Sequence, residues 1–329
     1  MPFEPRFTPA FALRHLLIDR EGRLRTAWRL LAFGALFIIF QAVAVLLVIP
    51  FTGDPRGVLG RSLSAPEQAA FLVQAISFVG TTITVFLARR WLDHRTLVSL
   101  GLTPGGSWLR EILLGALLGI GLQAGIFATE LALGWLRVDQ VGWRGASTIV
   151  PGLIAMLLVF LAVAWNEELL TRGYLLQNLE EGLGIVPAVI VSSVIFGLLH
   201  IFNANSSVLA SLGVAIAGLL LAAAYLVRRT LWLPIGLHLG WNFGEGPIFG
   251  FPVSGLDAGG LFTLSVTGPE EFTGGAFGPE AGILAFAAEI IGIGLLLIWY
   301  RGYQRQTWKT EHVPIAESSG CEAPQAESS

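Results

Sequence analysis

Cysteine and lysine are almost absent from this chain of 329 residues. Cys321 is the only cysteine, which excludes a disulfide framework or a cysteine metal site within one chain. Lys309 is the only lysine, so the other basic residues are arginines. Charge is scarce as well, because charged residues make up 13% of the chain and the formal net charge is -3. The sequence therefore has no basic patch typical of nucleic-acid binding.

Apolar residues dominate instead. They make up 54% of the chain, and the mean hydropathy is +0.70, which is too apolar for a water-soluble domain. A transmembrane helix needs roughly 20 apolar residues, and several runs reach that length. We predict an all-α, polytopic integral membrane protein of about eight helices. The apolar runs are residues 30–49, 68–88, 111–136, 149–181, 186–203, 207–227, 231–250 and 281–300.

The distribution of arginine predicts the orientation in the membrane. With eight crossings, both termini share one side, and that side carries sixteen Arg and Lys residues. The other side carries four, namely Arg56, Arg61, Arg137 and Arg144. Positively charged loops stay in the cytoplasm, so we expect both termini to be cytoplasmic and the protein to lie in the cell membrane.

The spans divide the chain into six segments. No soluble catalytic domain is left between them, so any chemistry must come from residues inside the membrane. The predicted segments are an Arg-rich cytoplasmic segment (1–29), spans one to three (30–148), a catalytic core of spans four to seven (149–250), an external loop rich in Gly and Pro (251–280), span eight (281–300) and a disordered cytoplasmic tail (301–329).

Charged residues interrupt the fourth apolar run. Glu167, Glu168 and Arg172 come after an apolar stretch of seventeen residues, 149–165, and Asn166. Charged groups at membrane depth are costly, so such residues are candidates for a functional site when partners exist. On a helix Glu168 and Arg172 are four residues apart and can pair, whereas Glu167 points about 100° away. The pattern therefore leaves Glu167 free for another role, with Glu168 and Arg172 in support.

Three further polar residues lie on later helices. His200 ends the fifth run, and His238 and Asn242 share one face of the seventh. Counted from the turn near Gly182, Glu167 and His200 both lie about 20 Å deep, and His238 and Asn242 lie about 12–20 Å from the same surface. We therefore expect these groups to converge. Together they offer a carboxylate base for water, imidazoles and an amide donor, which are the groups that peptide hydrolysis needs.

The motifs Glu167-Glu168-x-x-x-Arg172, Phe196-x-x-x-His200 and His238-x-x-x-Asn242 resemble, in that order, the CPBP family of CAAX prenyl protease and bacteriocin-processing enzymes, also called Abi. The resemblance implies an α-helical intramembrane endopeptidase acting on membrane-associated or lipidated, CAAX-like substrates. It implies that Glu167 and His200 activate water and that His238 and Asn242 form the oxyanion hole. Family members are often labelled metalloproteases. The resemblance thus leaves open a divalent metal such as Zn²⁺ bound by Glu167, His200 and His238.

Other interpretations stay open at this stage. A proton- or solute-coupled transporter also places Glu, Arg, His and Asn at mid-membrane, although the chain has no internal repeat. A non-catalytic membrane scaffold is a third reading. Glu130, Glu245 and Glu289 have no evident partner in the sequence, and Phe196 is interpreted as a packing residue. Glycines along the third run, Gly115, Gly119 and Gly125, predict close helix packing.

Overall fold

A computed structural model describes residues 17–19, 21–52, 67–144 and 148–311 of the protein, and the fold is mostly helical. The predicted Arg-rich segment lies partly, and the predicted tail beyond residue 311 wholly, outside this range. Ten α-helices are present in the described part of the chain. They are α1 Thr26–Thr52, α2 Glu67–Trp91, α3 Trp108–Ala132, α4 Ile149–Glu168, α5 Leu176–Leu183, α6 Ile185–Leu199, α7 Val208–Arg228, α8 Trp232–Phe243, α9 Glu270–Thr273 and α10 Ile283–Glu311.

All eight predicted apolar runs are helical. The fourth run is one long helical element over residues 149–183, in which α4 and α5 are joined by a π-helical segment, Leu169–Leu175. Within the described ranges, five helices are long and apolar enough to cross a membrane, and α6 is a shorter apolar helix. The protein is therefore an integral membrane protein. That all eight runs cross the bilayer stays a prediction.

The ends of the helices follow from local sequence. Pro151, Pro187 and Pro234 each occupy the third position of their helix, α4, α6 and α8 respectively. Proline is tolerated there because the first-turn amides have no helical acceptor. Gly184 separates α5 from α6 with a φ of 83°, which glycine adopts without strain. These residues set where the chain turns, and so how far each site residue lies from a helix end.

Buried ion pairs join the helices at one end of the bundle. Arg29 Nη1 on α1 lies 3.2 Å from Asp93 Oδ1, and Arg89 Nη1 on α2 lies 2.9 Å from Asp93 Oδ2. Arg29 also reaches Oε2 of Glu181 on α5 at 2.8 Å. We call this end the Asp93 side. It is the side on which α1 begins, so it is the predicted cytoplasmic side.

The opposite end carries a small sheet that the sequence reading missed. Strand β1, Leu136–Val141, pairs antiparallel with β2, Phe262–Val266. We call this end the hairpin side. The all-α prediction is therefore corrected by one two-stranded sheet. The segment predicted as a loop, 251–280, also contains β2 and α9. Both strands alternate apolar and polar residues, but their Gly- and Pro-rich surroundings obscured the pattern.

The last helix differs from its predicted extent as well. We expected span eight to end at residue 300 and a disordered tail to follow, but α10 continues to Glu311. The first part of the predicted tail is therefore helical. Residues 301–311 contain no proline, and a single Gly302 is tolerated within a helix at a modest cost.

Helices α3 and α8 pack so closely that their backbones touch. A Cβ atom added at Gly119 would lie 2.5 Å from the backbone oxygen of Leu237, and one at Gly240 would lie 2.1 Å from that of Ala116. Gly115 makes the same kind of contact, as predicted, whereas Gly125 has open space around it and the prediction for it is wrong. Because α8 carries two predicted site residues, this glycine contact determines their position.

Candidate active site

Glu168 is fully buried and is paired on two sides. Its Oε1 accepts a hydrogen bond from Arg172 Nη1 at 2.9 Å, so the two side chains pair as their spacing predicts. The same oxygen lies 3.0 Å from His238 Nδ1. A carboxylate paired with arginine is ionised and only accepts hydrogen bonds, so Nδ1 of His238 carries a proton. Glu168 therefore fixes the orientation of the His238 ring and also compensates the charge of Arg172.

The π-helical segment Leu169–Leu175 begins directly after Glu168. Arg172 lies within it and is fully buried. Its Nη2 donates to the backbone oxygen of Gly218 on α7 at 2.8 Å, and its guanidinium carbon lies 4.5 Å from the centroid of the Phe196 ring. Single π-helical turns within helices occur frequently at functional sites. Here the π-helical segment directly follows Glu167 and Glu168, the two carboxylates of the first motif.

His200 follows the last residue of α6, and its own helix orients its ring. Its Nδ1 lies 2.9 Å from the backbone oxygen of Phe196. A carbonyl oxygen only accepts, so Nδ1 carries the proton, and Nε2 of the neutral ring keeps a lone pair. That Nε2 lies 3.7 Å from Oε2 of Glu167. His200 thus presents an acceptor nitrogen toward Glu167.

Phe196 contacts three polar residues of the site. Besides accepting from His200, it packs its ring against Arg172 on one side and against His238 on another. The rings of Phe196 and His238 have centroids 6.1 Å apart at an angle of 84°, an edge-to-face contact. The packing role predicted for Phe196 is therefore incomplete, because this residue contacts both histidines of the site.

His238 and Asn242 lie one turn apart on α8, and both are buried. Nε2 of His238 lies 3.8 Å from Oε2 of Glu167. The structure thus brings Glu167 and both histidines together, although they come from three different helices. His238 is the seventh residue of α8, about 9 Å along the helix from its start on the Asp93 side. A second π-helical segment, Gly244–Ile248, begins two residues after Asn242.

Oε2 of Glu167 is the atom on which these groups converge. It is buried and has no hydrogen-bond partner in the described part of the chain. The distances of 3.7 and 3.8 Å to the two Nε2 atoms are too long for direct hydrogen bonds. Such separations leave the three atoms facing one another, and a water molecule beside them can hydrogen-bond to more than one of them. The Glu167 side chain as a whole is 27% exposed although its Oε2 is buried, whereas Glu168 beside it is fully sealed.

The two histidine rings are oriented in a way that bears on metal binding. Each ring has Nδ1 bound to an oxygen and Nε2 turned toward Glu167, an orientation that also occurs in histidines that bind metals. However, among the described residues no three His, Cys, Asp or Glu side chains are grouped so that they could hold a metal ion. A metal ion on Glu167, His200 and His238 stays a prediction, and no step of the proposed mechanism is assigned to it.

The sequence reading missed one carboxylate near the site. Glu280 lies in a short 3₁₀ turn, Pro279–Ala281, just before α10, and is 6% exposed. It interacts electrostatically with His200, His238 and Glu167. No periodic pattern surrounds it, because it follows a Gly-rich segment read as an external loop. Glu245, for which the sequence offered no evident partner, accepts a hydrogen bond from Gln123 Nε2 at 3.2 Å.

Comparison with known families identifies one match. Residues 148–244 match the family described as type II CAAX prenyl endopeptidase Rce1-like. The matched region is less than a third of the 329 residues, and it contains all three motifs from Glu167 to Asn242. No curated protein matches the chain.

Proposed function

We propose that this chain, whose residues 148–244 belong to the type II CAAX prenyl endopeptidase Rce1-like family, is an intramembrane endopeptidase that activates water with Glu167 and His200. The family is one of proteases, which supports an enzymatic role. The substrate class we propose is membrane-associated or lipidated, CAAX-like peptides. The observation that carries the mechanism is the buried Oε2 of Glu167, which has no hydrogen-bond partner among the described residues and faces Nε2 of both histidines.

The first step is attack by water on the scissile carbonyl carbon. A water molecule between Glu167 and His200 donates one hydrogen to Oε2 of Glu167 and the other to the lone pair on Nε2 of His200. As the water oxygen bonds to the carbonyl carbon, its proton passes to the Glu167 carboxylate. His200 holds the water in line, because its Nδ1 is fixed by the carbonyl of Phe196.

The second step is breakdown of the tetrahedral intermediate. Its oxyanion accepts hydrogen bonds from the Asn242 amide and from Nε2 of His238 in its charged form, which the ionised Glu168 on Nδ1 stabilises. The carbon–nitrogen bond then breaks, and protonated Glu167 returns its proton to the leaving nitrogen. The products are an amine and a carboxylic acid, which carries the second proton of the water and releases it to solvent, and Glu167 is again ionised.

The test is turnover of membrane-tethered peptides by the purified protein in liposomes. We expect Glu167→Gln to lower kcat by ~10²–10⁴ because it removes the base. We expect Asn242→Ala to lower kcat by ~10²–10³ because it removes an oxyanion donor. Glu271→Gln, which changes an exposed carboxylate, is the matched control and should leave turnover unchanged.

A chelator added to the same assay tests the metal reading. Full activity in its presence is expected for water activated by Glu167. Loss of activity that added Zn²⁺ restores would replace this mechanism with a metal site on Glu167, His200 and His238. If the wild type cleaved no peptide while solute flux across the liposomes depended on Glu167, the protein would be a transporter and the proposal would be overturned.

A further inference from the structure

A glycine-rich segment places the carboxylate of Glu280 in the core. Gly274, Gly275 and Gly278, which precede it, have φ angles of 79°, 56° and 109°, which favour glycine. On α7, a Cβ atom added at Gly213 would lie 1.9 Å from the backbone oxygen of Glu280. Only glycine at that position lets the segment enter the bundle as it does. The segment therefore turns back from the hairpin side and buries one acidic side chain.

Glu280 is connected to His200 by a continuous series of hydrogen bonds. Ser254 Oγ donates to Glu280 Oε2 at 2.5 Å. The backbone oxygen of Ser254 accepts from Asn203 Nδ2 at 3.1 Å, and the backbone amide of Asn203 donates to the carbonyl oxygen of His200 at 3.0 Å. Three links thus lead from the buried carboxylate to the backbone of a predicted site residue.

Ser254 itself adopts a strained backbone conformation. Its φ is 48°, in the left-handed region that serine rarely occupies. Such a conformation costs free energy and persists only where the surrounding contacts impose it. Here the contacts are those of a tight turn, in which Ser254 and Gly255 are the two central residues and the backbones of Val253 and Leu256 hydrogen-bond to each other. The turn fixes the backbone of Ser254, and with it the oxygen that accepts from Asn203 and the hydroxyl that donates to Glu280.

The position of His200 depends on that turn. His200 directly follows α6, so on its C-terminal side no further helical turn holds it. Instead, Asn203 and Asn205 in the segment after it donate side-chain hydrogen bonds to the backbone oxygens of Ser254 and Ala276. A Cβ atom added at Gly255 would lie 1.9 Å from the backbone oxygen of Ala204, which shows how close this packing is. A displacement of about 1 Å at a catalytic group can cost 10²-fold in rate.

We propose that Glu280 is a positioning residue of the active site, which holds His200 in register with Glu167 through Ser254 and Asn203. The inference rests on the proposed function for its effect on catalysis, but the positional effect on His200 is measurable without any substrate. The carboxylate acts through its hydrogen bond to Ser254, so an amide of the same shape retains most of the effect.

The substrate-independent test is NMR spectroscopy of the full chain labelled at its histidine rings. The chain has five histidines, so each ring signal is resolvable, and His200→Ala identifies the signal of His200. We expect Glu280→Ala and Ser254→Ala to shift or broaden that signal and Glu280→Gln to restore it. Glu271→Gln on the same segment should have no effect. An unchanged His200 signal in Glu280→Ala would overturn the proposal whether or not the protein cleaves peptides.

The catalytic test uses the same variants in the liposome assay. Glu280→Ala and Ser254→Ala are each expected to lower kcat about tenfold or more with little change in KM. The double variant is expected to be no worse than the poorer single variant, because both remove one link of the series. Wild-type kcat in Glu280→Ala would refute this inference and leave the proposed function standing. Equal losses in Glu280→Gln and Glu280→Ala would refute positioning through the hydrogen bond.

Discussion

At the scale of single residues, two adjacent glutamates have different roles because their surroundings differ. Glu168 is sealed in the core between Arg172 and His238, so its charge is fully compensated. Glu167 lies one position earlier, is partly exposed and has no arginine beside it, although Oε2 of each carboxylate lacks a hydrogen-bond partner among the described residues. A compensated carboxylate orients its neighbours, whereas an uncompensated one near water can take a proton. The helical spacing predicted this division, since only Glu168 has an arginine four residues later.

Arg172→Met tests whether the buried pair of Glu168 and Arg172 stabilises the fold. The variant leaves Glu168 as a buried carboxylate without its arginine, and the free energy of unfolding is expected to fall by about 3–5 kcal/mol. Unfolding followed by circular dichroism in detergent measures the loss. Arg137→Met is the control, because Arg137 pairs with Asp139 at the surface, where an ion pair adds little to stability. Similar losses in the two variants would contradict the role assigned to the buried pair.

The residues that sequence reasoning found and missed differ in one physical respect. Glu167, His200 and His238 interrupt long apolar runs, so the cost of placing them in lipid makes them visible in the sequence. Glu280 interrupts no such run, because it lies in a Gly-rich segment whose path into the bundle depends on contacts with remote residues such as Gly213. A carboxylate of this kind is visible only once the tertiary structure is known.

At the scale of elements, the helices were predictable and their connections were not. Apolar length together with Gly and Pro predicted most helix ends to within a few residues, but not the end of α10, which lies at Glu311 and not at residue 300. The π-helical segment Leu169–Leu175 and the β1–β2 pairing left no signal of their own. A π turn depends on side chains packed around it, and two strands more than a hundred residues apart pair only after the helices between them have assembled.

Gly240→Ala tests the contact between α3 and α8. The added Cβ atom would lie 2.1 Å from a backbone oxygen of α3, so the helices must separate, at a cost of about 1–3 kcal/mol. Peptide turnover is expected to fall as well, because α8 carries His238 and Asn242. Gly125→Ala on α3, where the space is open, is the matched control and should be neutral or slightly stabilising. An equally stable, fully active Gly240→Ala variant would show that the contact does not position the site.

At the scale of the whole molecule, the surface is apolar, as expected for a protein in lipid. Large apolar side chains on several helices are more than half exposed, among them Leu117, Ile154, Ile190 and Ile298. The buried ion pairs lie inside the bundle, at the site and around Asp93 on the Asp93 side. A bundle of this kind excludes bulk water from the helices while leaving Glu167 accessible. We expect access to the site from the Asp93 side, which is the predicted cytoplasmic side.

The single cysteine provides a direct test of orientation. In right-side-out vesicles, a membrane-impermeant maleimide should not label Cys321 until the membrane is permeabilised, because the arginine distribution places the C-terminus in the cytoplasm. Val141→Cys in a Cys321→Ser background is the control. Val141 lies on the hairpin side and is 79% exposed, so it should react in intact vesicles. The reverse labelling pattern would invert the orientation and place the hairpin in the cytoplasm.

The measurement that tests the central claim most directly is a double-mutant cycle on Glu167 and His200 in the liposome assay. If both residues act on one water molecule, Glu167→Gln and His200→Ala each lower kcat strongly, and the double variant is no slower than the slower single variant, because groups that act as a unit are not additive. Losses that multiply in the double variant, or a single variant with wild-type turnover, would contradict a water molecule shared by Glu167 and His200.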